Sequence, residues 1–315
     1  LIWHLDEPSD PLSVCSYHIA GIARKHVKVV LGGDGGDELF GGYDRYYGNR
    51  YASYYAMLPK ALRKYAIGPL LNMVPDGKWY KSKAHQAKWL HAMSFKSGSE
   101  RYAGSLSYFY FGEQRRQQLY GPSMLQAAAF DPESSIREPY DQAHASDIVD
   151  RMLYADSSVR LPDHPVMILD RMTMAHSLEA RAPLMDHEIA EFSARLPGRL
   201  KVRGKNLRYI QYILARRYLP EEVVERPKQG FSSALPYMLG DEYQTLYKRF
   251  LMKSSLAEDG ILDQQGINHL LAEHQTGNYD HGNRLWLLVN SEAWYRMLIK
   301  KIPTSDLADT QYNSE

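Results

Sequence analysis

Leu31-Gly32-Gly33-Asp34-Gly35-Gly36-Asp37-Glu38-Leu39-Phe40-Gly41-Gly42-Tyr43 is the stretch on which the reading of the fold turns. Six glycines fall within the eleven residues 32–42, a density that costs conformational entropy and needs a local reason. Just before it, Val27, Val29, Val30 and Leu31 form a short Val-rich run that stops at Gly32-Gly33. Upstream, Val14, Ile19, Ile22 and Ala23 are spaced as on one helix face within residues 9–25. Downstream, residues 37–47 are again compatible with a helix. Helix, strand, glycine turn, helix is the order of an α/β unit, with residues 27–31 as a buried parallel strand. Ligands of such sheets gather at the carboxyl ends of the strands.

Glycine lets backbone approach a ligand closely and permits positive φ in a tight strand-to-helix turn. The carboxylates interleaved here make the loop acidic, so an anionic ligand needs a bridging cation. Mg²⁺ held by one or two carboxylates together with substrate phosphates is the common arrangement. The local chemistry therefore points to a metal-assisted nucleotide or phosphate site. The structural alternative is a plain turn in which Asp37 and Glu38 favour a helix N-terminus. Residues 32–40 also match the repeat of calcium-binding β-rolls, but that fold needs several tandem copies to bury a core, and the chain carries one. No Gly-Lys-Ser/Thr follows, which excludes a Walker loop, and the spacing is not a dinucleotide fingerprint.

Past residue 50 there is almost no strand signal. Helical patches recur at about 51–66, 84–95, 99–110, 146–158, 165–177, 186–195, 206–218, 236–253, 262–275 and 284–299. Pro75-Asp76-Gly77, Gly121-Pro122, Asp131-Pro132, Pro162, Pro197-Gly198 and Gly240-Asp241 divide them. The tail from Thr304 is polar and expected to fray.

Composition narrows the classes further. The 315 residues are 44% apolar, far too apolar for a disordered chain. The charge sum is 38 − 37 = +1, which gives no overall imbalance pointing to nucleic acid or membrane. The 24 tyrosines are scattered along helices without a basic excess, unlike a base-stacking platform. No apolar run approaches the ~20 residues that cross a bilayer. One cysteine, Cys15, excludes an internal disulfide or a cysteine-rich zinc site and fits a reduced, cytoplasmic setting. His164, His176 and His187 lack ligand spacing, and His269 with His274 lacks the His-Glu-x-x-His form.

Three further blocks accompany the glycine loop: Leu5-Asp6-Glu7-Pro8 before it, then Asp170-Arg171 with Ser177-Leu178-Glu179-Ala180-Arg181-Ala182-Pro183-Leu184-Met185-Asp186, and then Leu219-Pro220-Glu221-Glu222 with Arg226-Pro227-Lys228-Gln229-Gly230-Phe231. In this order, over residues 5–231, they resemble the synthetase domain of the glutamine-hydrolysing asparagine synthetases. The resemblance implies an ATP-pyrophosphatase-type α/β domain (adenine nucleotide alpha hydrolase-like). Residues 1–50 or so would be the remnant of its parallel sheet, and about 51–303 a large, mostly helical region. It also implies ATP-dependent amidation of aspartate through a β-aspartyl-AMP, with Mg²⁺ and with ammonia delivered by an N-terminal glutaminase domain.

Roles follow only where positions match. Gly32 and Gly33 align with the pair whose backbone contacts the adenylate, and Asp37 with the magnesium carboxylate. Asp34 takes the acidic position tied to adenylate formation and ammonia attack. Lys228 matches the lysine that neutralises the departing pyrophosphate. Glu179, Arg181 and Asp186 are candidates for orienting the amino-acid substrate, against the alternative of structural ion pairs.

The sequence also departs from the family pattern. Gly32 stands in place of the usual Ser, and Asp34 in place of Glu, which shortens that carboxylate's reach by about 1.5 Å, one C–C bond. In Arg208-Tyr209-Ile210-Gln211-Tyr212 the family's terminal Arg is lost. The pyrophosphate loop Ser-Gly-Gly-x-Asp-Ser and the cysteine nucleophile of the glutaminase domain are not among residues 1–315, and internal Cys15 cannot replace the latter. The expectation is therefore a C-terminal portion, inactive alone and possible as a homodimer. The alternatives are a related amidotransferase or cyclase acting on another carboxylate, such as a sugar-polymer or peptide, and a non-catalytic assembly domain.

Overall fold

The computed structural model describes residues 1–9, 11–75, 82–108, 110–127, 131–226, 240–276, 279 and 281–309. Within them the fold is mostly helical, with a small two-stranded parallel sheet. The Leu12–Ala23 helix leads into β1 (Val29–Leu31), as its apolar spacing indicates. The glycine loop then turns into the short helix Gly36–Phe40.

The partner of β1 is β2 (Glu179–Arg181), in the register Val29↔Glu179, Val30↔Ala180, Leu31↔Arg181. It is the one strand past residue 50 among the described residues, in keeping with the near absence of strand signal there. Three residues, two of them charged, show no period, and the pairing with β1 rather than intrinsic propensity makes them a strand. Burial of β1 is also less than expected: Val29 and Leu31 are 41% and 74% exposed, because β2 is the one strand paired with it among the described residues.

Two helix boundaries differ from the sequence reading. The 37–47 helix splits, because Gly41 adopts φ 76° and closes Gly36–Phe40 before Asp44–Tyr55 begins. Pro162 does not break its helix. Residues 148–174 run through in one piece, with π-helical turns at Asp156–Arg160 and Pro162–Val166 that absorb the missing proline N–H groups. The short helices Glu113–Leu119, Pro122–Ala127 and Ser134–Gln142 carry too few turns for their periodicity to stand out.

The core has two large centres. One, around Tyr247, Leu251, Ile267, Leu285 and Val289, joins the helices Gly240–Leu251, Gln264–Gln275 and Gly282–Trp294. The other, around Tyr46, Tyr102, Val149, Met152 and Val202, lies beneath the glycine loop. The N-terminal block is fastened between them: Leu5 packs on Ile168 and Met172, and the Trp294 and Trp286 indoles donate to the carbonyls of Asp6 and Ser9 at 3.0 and 2.9 Å.

Candidate active site

The loop begins where the strand pairing ends. The Gly32 amide still donates to the Arg181 carbonyl at 2.8 Å, so the glycine loop and the Glu-Ala-Arg block are adjacent at the carboxyl end of the sheet. Gly35, at φ 81°, then caps Gly36–Phe40, where a side chain would be strained and its Cβ would meet Met185 at 2.5 Å. Ser193 Oγ donates to the Leu39 carbonyl at 2.5 Å, and the Arg208 amide to that of Gly41 at 3.1 Å. The short helix is thus held from the chain's middle.

Asp37 sits at the start of that helix. Its carbonyl accepts from the amides of Gly41 and Gly42 at 3.0 and 2.9 Å, folding the double glycine back over its side chain. A Cβ on Gly42 would lie 1.8 Å from Asp37 Oδ1, so only glycine fits. Arg208 Nη1 approaches that oxygen at 3.6 Å. Burial pushes the Asp34 carboxyl above the usual range, with Glu38 and Asp37 adding to the rise and its own backbone N–H opposing it. The two departures at Gly32 and Asp34 also belong together: a Cβ on residue 32 would stand 2.5 Å from Asp34 Oδ2.

Glu38, 2% exposed, is held differently. Tyr43 donates its hydroxyl to Glu38 Oε1, and Arg160 Nη1 reaches that same carboxylate oxygen at 3.1 Å and the Tyr43 hydroxyl at 2.9 Å. The Tyr43 ring carries two guanidiniums, Arg45 at 3.9 Å and Arg160 at 4.6 Å from its centroid. Burial raises the Tyr43 pKa well above that of an ordinary phenol, against the pull of Arg160. Behind it lies Asp156, fully buried, which takes hydrogen bonds from Tyr46 and Tyr102 at 2.5 Å and pairs with Arg45. Sequence reasoning missed this network. The available signal was Asp156 and Arg160, four apart and just ahead of Pro162 in a helix otherwise rich in apolar residues.

A cavity of about 1670 Å³ opens over these groups. Its wall includes Gly32, Gly33, Asp34 and Asp37 of the expected site, Glu7 and Pro8 of the N-terminal block, and Arg160 and Lys205 as cations. Glu179, Arg181 and Asp186 are not in that wall. Glu179 and Arg181 pair with each other at 2.8 Å on the surface, and Asp186 accepts from the Glu188 amide at 2.9 Å to cap His187–Arg195. For these three the structural alternative is what the geometry displays. Lys228 lies outside the described residues.

Strand end, acidic glycine loop and partly cationic cavity define the class: an α/β protein with a candidate ligand cavity at the carboxyl edge of its parallel strands. Residues 1–296 match the family model for asparagine synthase, and the chain belongs to that family. It is 31% identical over 319 residues to a putative glutamine-hydrolysing asparagine synthetase of Mycobacterium tuberculosis, covering 99% of this chain and 46% of that protein. To asparagine synthetase 1 of Bacillus subtilis it is 26% identical, over 96% of this chain and 45% of the relative. A Penicillium rubens protein named amidase chyE is 23% identical over 83% of this chain and 41% of its own length. The chain spans about half the length of the curated relatives it matches.

Proposed function

We propose that the chain carries the synthetase chemistry of an ATP-dependent, asparagine-forming ligase built on an ATP-pyrophosphatase-type domain. Aspartate's side-chain carboxylate attacks the α-phosphorus of ATP, β-aspartyl-AMP forms as pyrophosphate leaves, and ammonia then displaces AMP. Family membership supports the reaction, and the observation that carries the site is the acidic loop at the end of β1, facing the cavity beside β2.

The physical problem is bringing a carboxylate to a polyanion. Gly32 and Gly33 have no side chain to keep ATP from the backbone, and a Cβ on Gly33 would meet nothing within 4 Å. Asp34 and Asp37 are hard oxygen donors in one cavity wall, and the raised Asp34 pKa marks a place where added positive charge is favourable. Among the described residues no three acidic, histidine or cysteine groups are arranged to hold a metal by themselves. The two carboxylates fit Mg²⁺ with substrate phosphates completing its shell. Bound there, Mg²⁺ neutralises phosphate charge that would repel the incoming carboxylate. Asp37 holds the cation, Asp34 guides the ammonia step, and Lys228 stabilises the leaving pyrophosphate. Glu179, Arg181 and Asp186, at the surface, would have to turn inward to orient aspartate.

Ammonia is supplied by a glutaminase domain of the family's usual kind, and residues 1–315 alone turn over poorly because the family's pyrophosphate loop is not among them. The test is exchange of labelled pyrophosphate into ATP by the intact polypeptide. Exchange that requires aspartate supports the reading, and exchange that ignores aspartate rejects it. A second reading, amidation or cyclisation of a larger carboxylate, is favoured by a cavity above the roughly 300–1,000 Å³ usual for small ligands and by the relative named as an amidase. A panel of carboxylates in the same assay separates the two.

A further inference from the structure

Three arginines line the cavity: Arg45, Arg160 and Arg284. A guanidinium recognises a carboxylate best through two parallel donors on one edge, and Nε with Nη2 form such an edge. In Arg284 all three nitrogens are taken. Nε and Nη2 donate to the carbonyls of Tyr110 and Tyr108, and Nη1 meets His281 Nδ1 at 2.8 Å. In Arg45 the edge itself is taken, Nε by the Tyr102 hydroxyl at 3.2 Å and Nη2 by Asp156. Arg160 is held the other way round. Its bonds to Glu38 and to the Tyr43 hydroxyl both leave from Nη1, so the Nε–Nη2 edge has no partner among the described residues.

That edge is also fixed in place. The π-helical turn Asp156–Arg160 packs against the short helix Gly36–Phe40 of the glycine loop. There the Arg160 guanidinium rests on the Tyr43 ring, 4.6 Å from its centroid, with buried Glu38 anchoring Nη1. The side chain is 21% exposed, and neither free nitrogen is sealed off from the cavity it lines. Donors held half-buried and unmatched are costly unless a ligand or water meets them. Lys83 and Lys205, in the same wall, are exposed ammonium groups on flexible stems and offer no such fixed fork.

Under the adenylation reading, on which this inference rests, phosphate charge is met at Gly32-Gly33 and by the cation at Asp37. One carboxylate of aspartate goes to phosphorus. The other stays behind and needs a cation of its own, and Arg181 is paired with Glu179 at the surface. We propose that Arg160 is the specificity-determining residue for the amino-acid substrate: its Nε–Nη2 edge takes the α-carboxylate of aspartate while Nη1 stays on Glu38 and Tyr43. An amine-bearing acid without that α-carboxylate leaves the edge unmatched and is rejected for that reason.

The experiment is exchange of labelled pyrophosphate into ATP by the intact polypeptide, with aspartate or with β-alanine, which is aspartate lacking its α-carboxylate. R160M alone strands the buried Glu38 carboxylate, so R160M/E38Q, which removes both charges, is measured beside it, and R160K keeps the charge without the two-donor edge. The half-saturating aspartate concentration should rise about 10- to 150-fold in R160M/E38Q, the worth of a charge-assisted hydrogen bond. That of ATP should stay within about twofold, and the preference for aspartate over β-alanine should collapse by the same factor as aspartate binding. R160K should fall between the two. If R160M/E38Q does not fold, R160K alone decides, by whether its loss falls on aspartate and spares ATP and β-alanine. A rise for ATP instead of aspartate overturns the proposal in favour of a phosphate contact. A slower exchange with both half-saturating concentrations and the preference unchanged overturns it in favour of a bracing role. Wild-type exchange that ignores aspartate overturns the adenylation reading and this inference with it, whereas aspartate-dependent exchange indifferent to the Arg160 variants overturns this inference alone.

Discussion

The glycine loop and the 60–72 helix solve opposite problems with the same kinds of residue. At the loop, charge is buried and matched: Glu38 with Arg160, and Asp156 with Arg45 and two tyrosine hydroxyls. On the helix a single charge, Arg63, is buried against carbonyls while leucine, methionine and tyrosine face outward. A buried ion pair is weak evidence for stability but strong evidence for a fixed geometry, because removing one partner strands the other. An exposed apolar face contributes little to the fold. The loop is therefore where substitutions should be costly for folding or turnover, and the helix where they should be silent in both.

The sharpest contrast comes from Asp156→Asn. It leaves Arg45 buried beside an uncharged partner and should destabilise the chain by about 3–5 kcal/mol in a denaturant titration. A loss under 1 kcal/mol would show that the network is slack. Asp37→Asn should keep the fold and lower turnover by about a hundredfold or more, the effect of deleting a preorganised charge at the reacting phosphates. Unchanged rate and Mg²⁺ dependence would reject the metal role. Gly42→Ala pushes on that same carboxylate without altering its charge, at a cost of about 1–3 kcal/mol in stability, and thermal melting beside kinetics separates strain from chemistry.

Acidification should strain another charged cluster, under the C-terminal helices. Burial, with Arg284 beside it, lowers His281 from 6.5 to about 4, while its hydrogen bond to Glu273 works against the shift. The folded state thus refuses a proton that the unfolded chain accepts, so stability falls as pH drops from 6.5 towards 4. Glu273, held below the carboxylate range by its bonds to His281 and Arg115 despite burial, loses its stabilising effect on the same side as pH falls. His281→Gln should flatten the stability profile across that window, and an unaltered slope would remove His281 from the account. At the small end, Leu70→Ala on the outward helix face should shift stability by no more than ~0.5 kcal/mol. A larger loss would mean that the face packs against something in the free chain.

The reach of the sequence differed between these regions for physical reasons. The loop was legible because glycines and carboxylates in that order have few structural uses, and the structure places Gly32, Gly33, Asp34 and Asp37 in one cavity wall. Glu179 and Arg181 were recognisable as a block but not as a strand, since their pairing with Val29 and Leu31 spans about 150 residues and leaves no local period. Arg160 and Asp156 act through Glu38, Tyr43 and Arg45, contacts that only the folded chain creates. The outward face of 60–72 escaped notice because apolar periodicity reports that a helix has an apolar side, not which way that side points.

The central claim is that the loop at the end of β1 serves adenylation of aspartate. Its most direct test is pyrophosphate release by the intact polypeptide with ATP, Mg²⁺ and ammonia, measured with and without aspartate. The account predicts release that requires aspartate and disappears in Asp37→Asn. A folded, complete protein that releases no pyrophosphate in response to aspartate would contradict it.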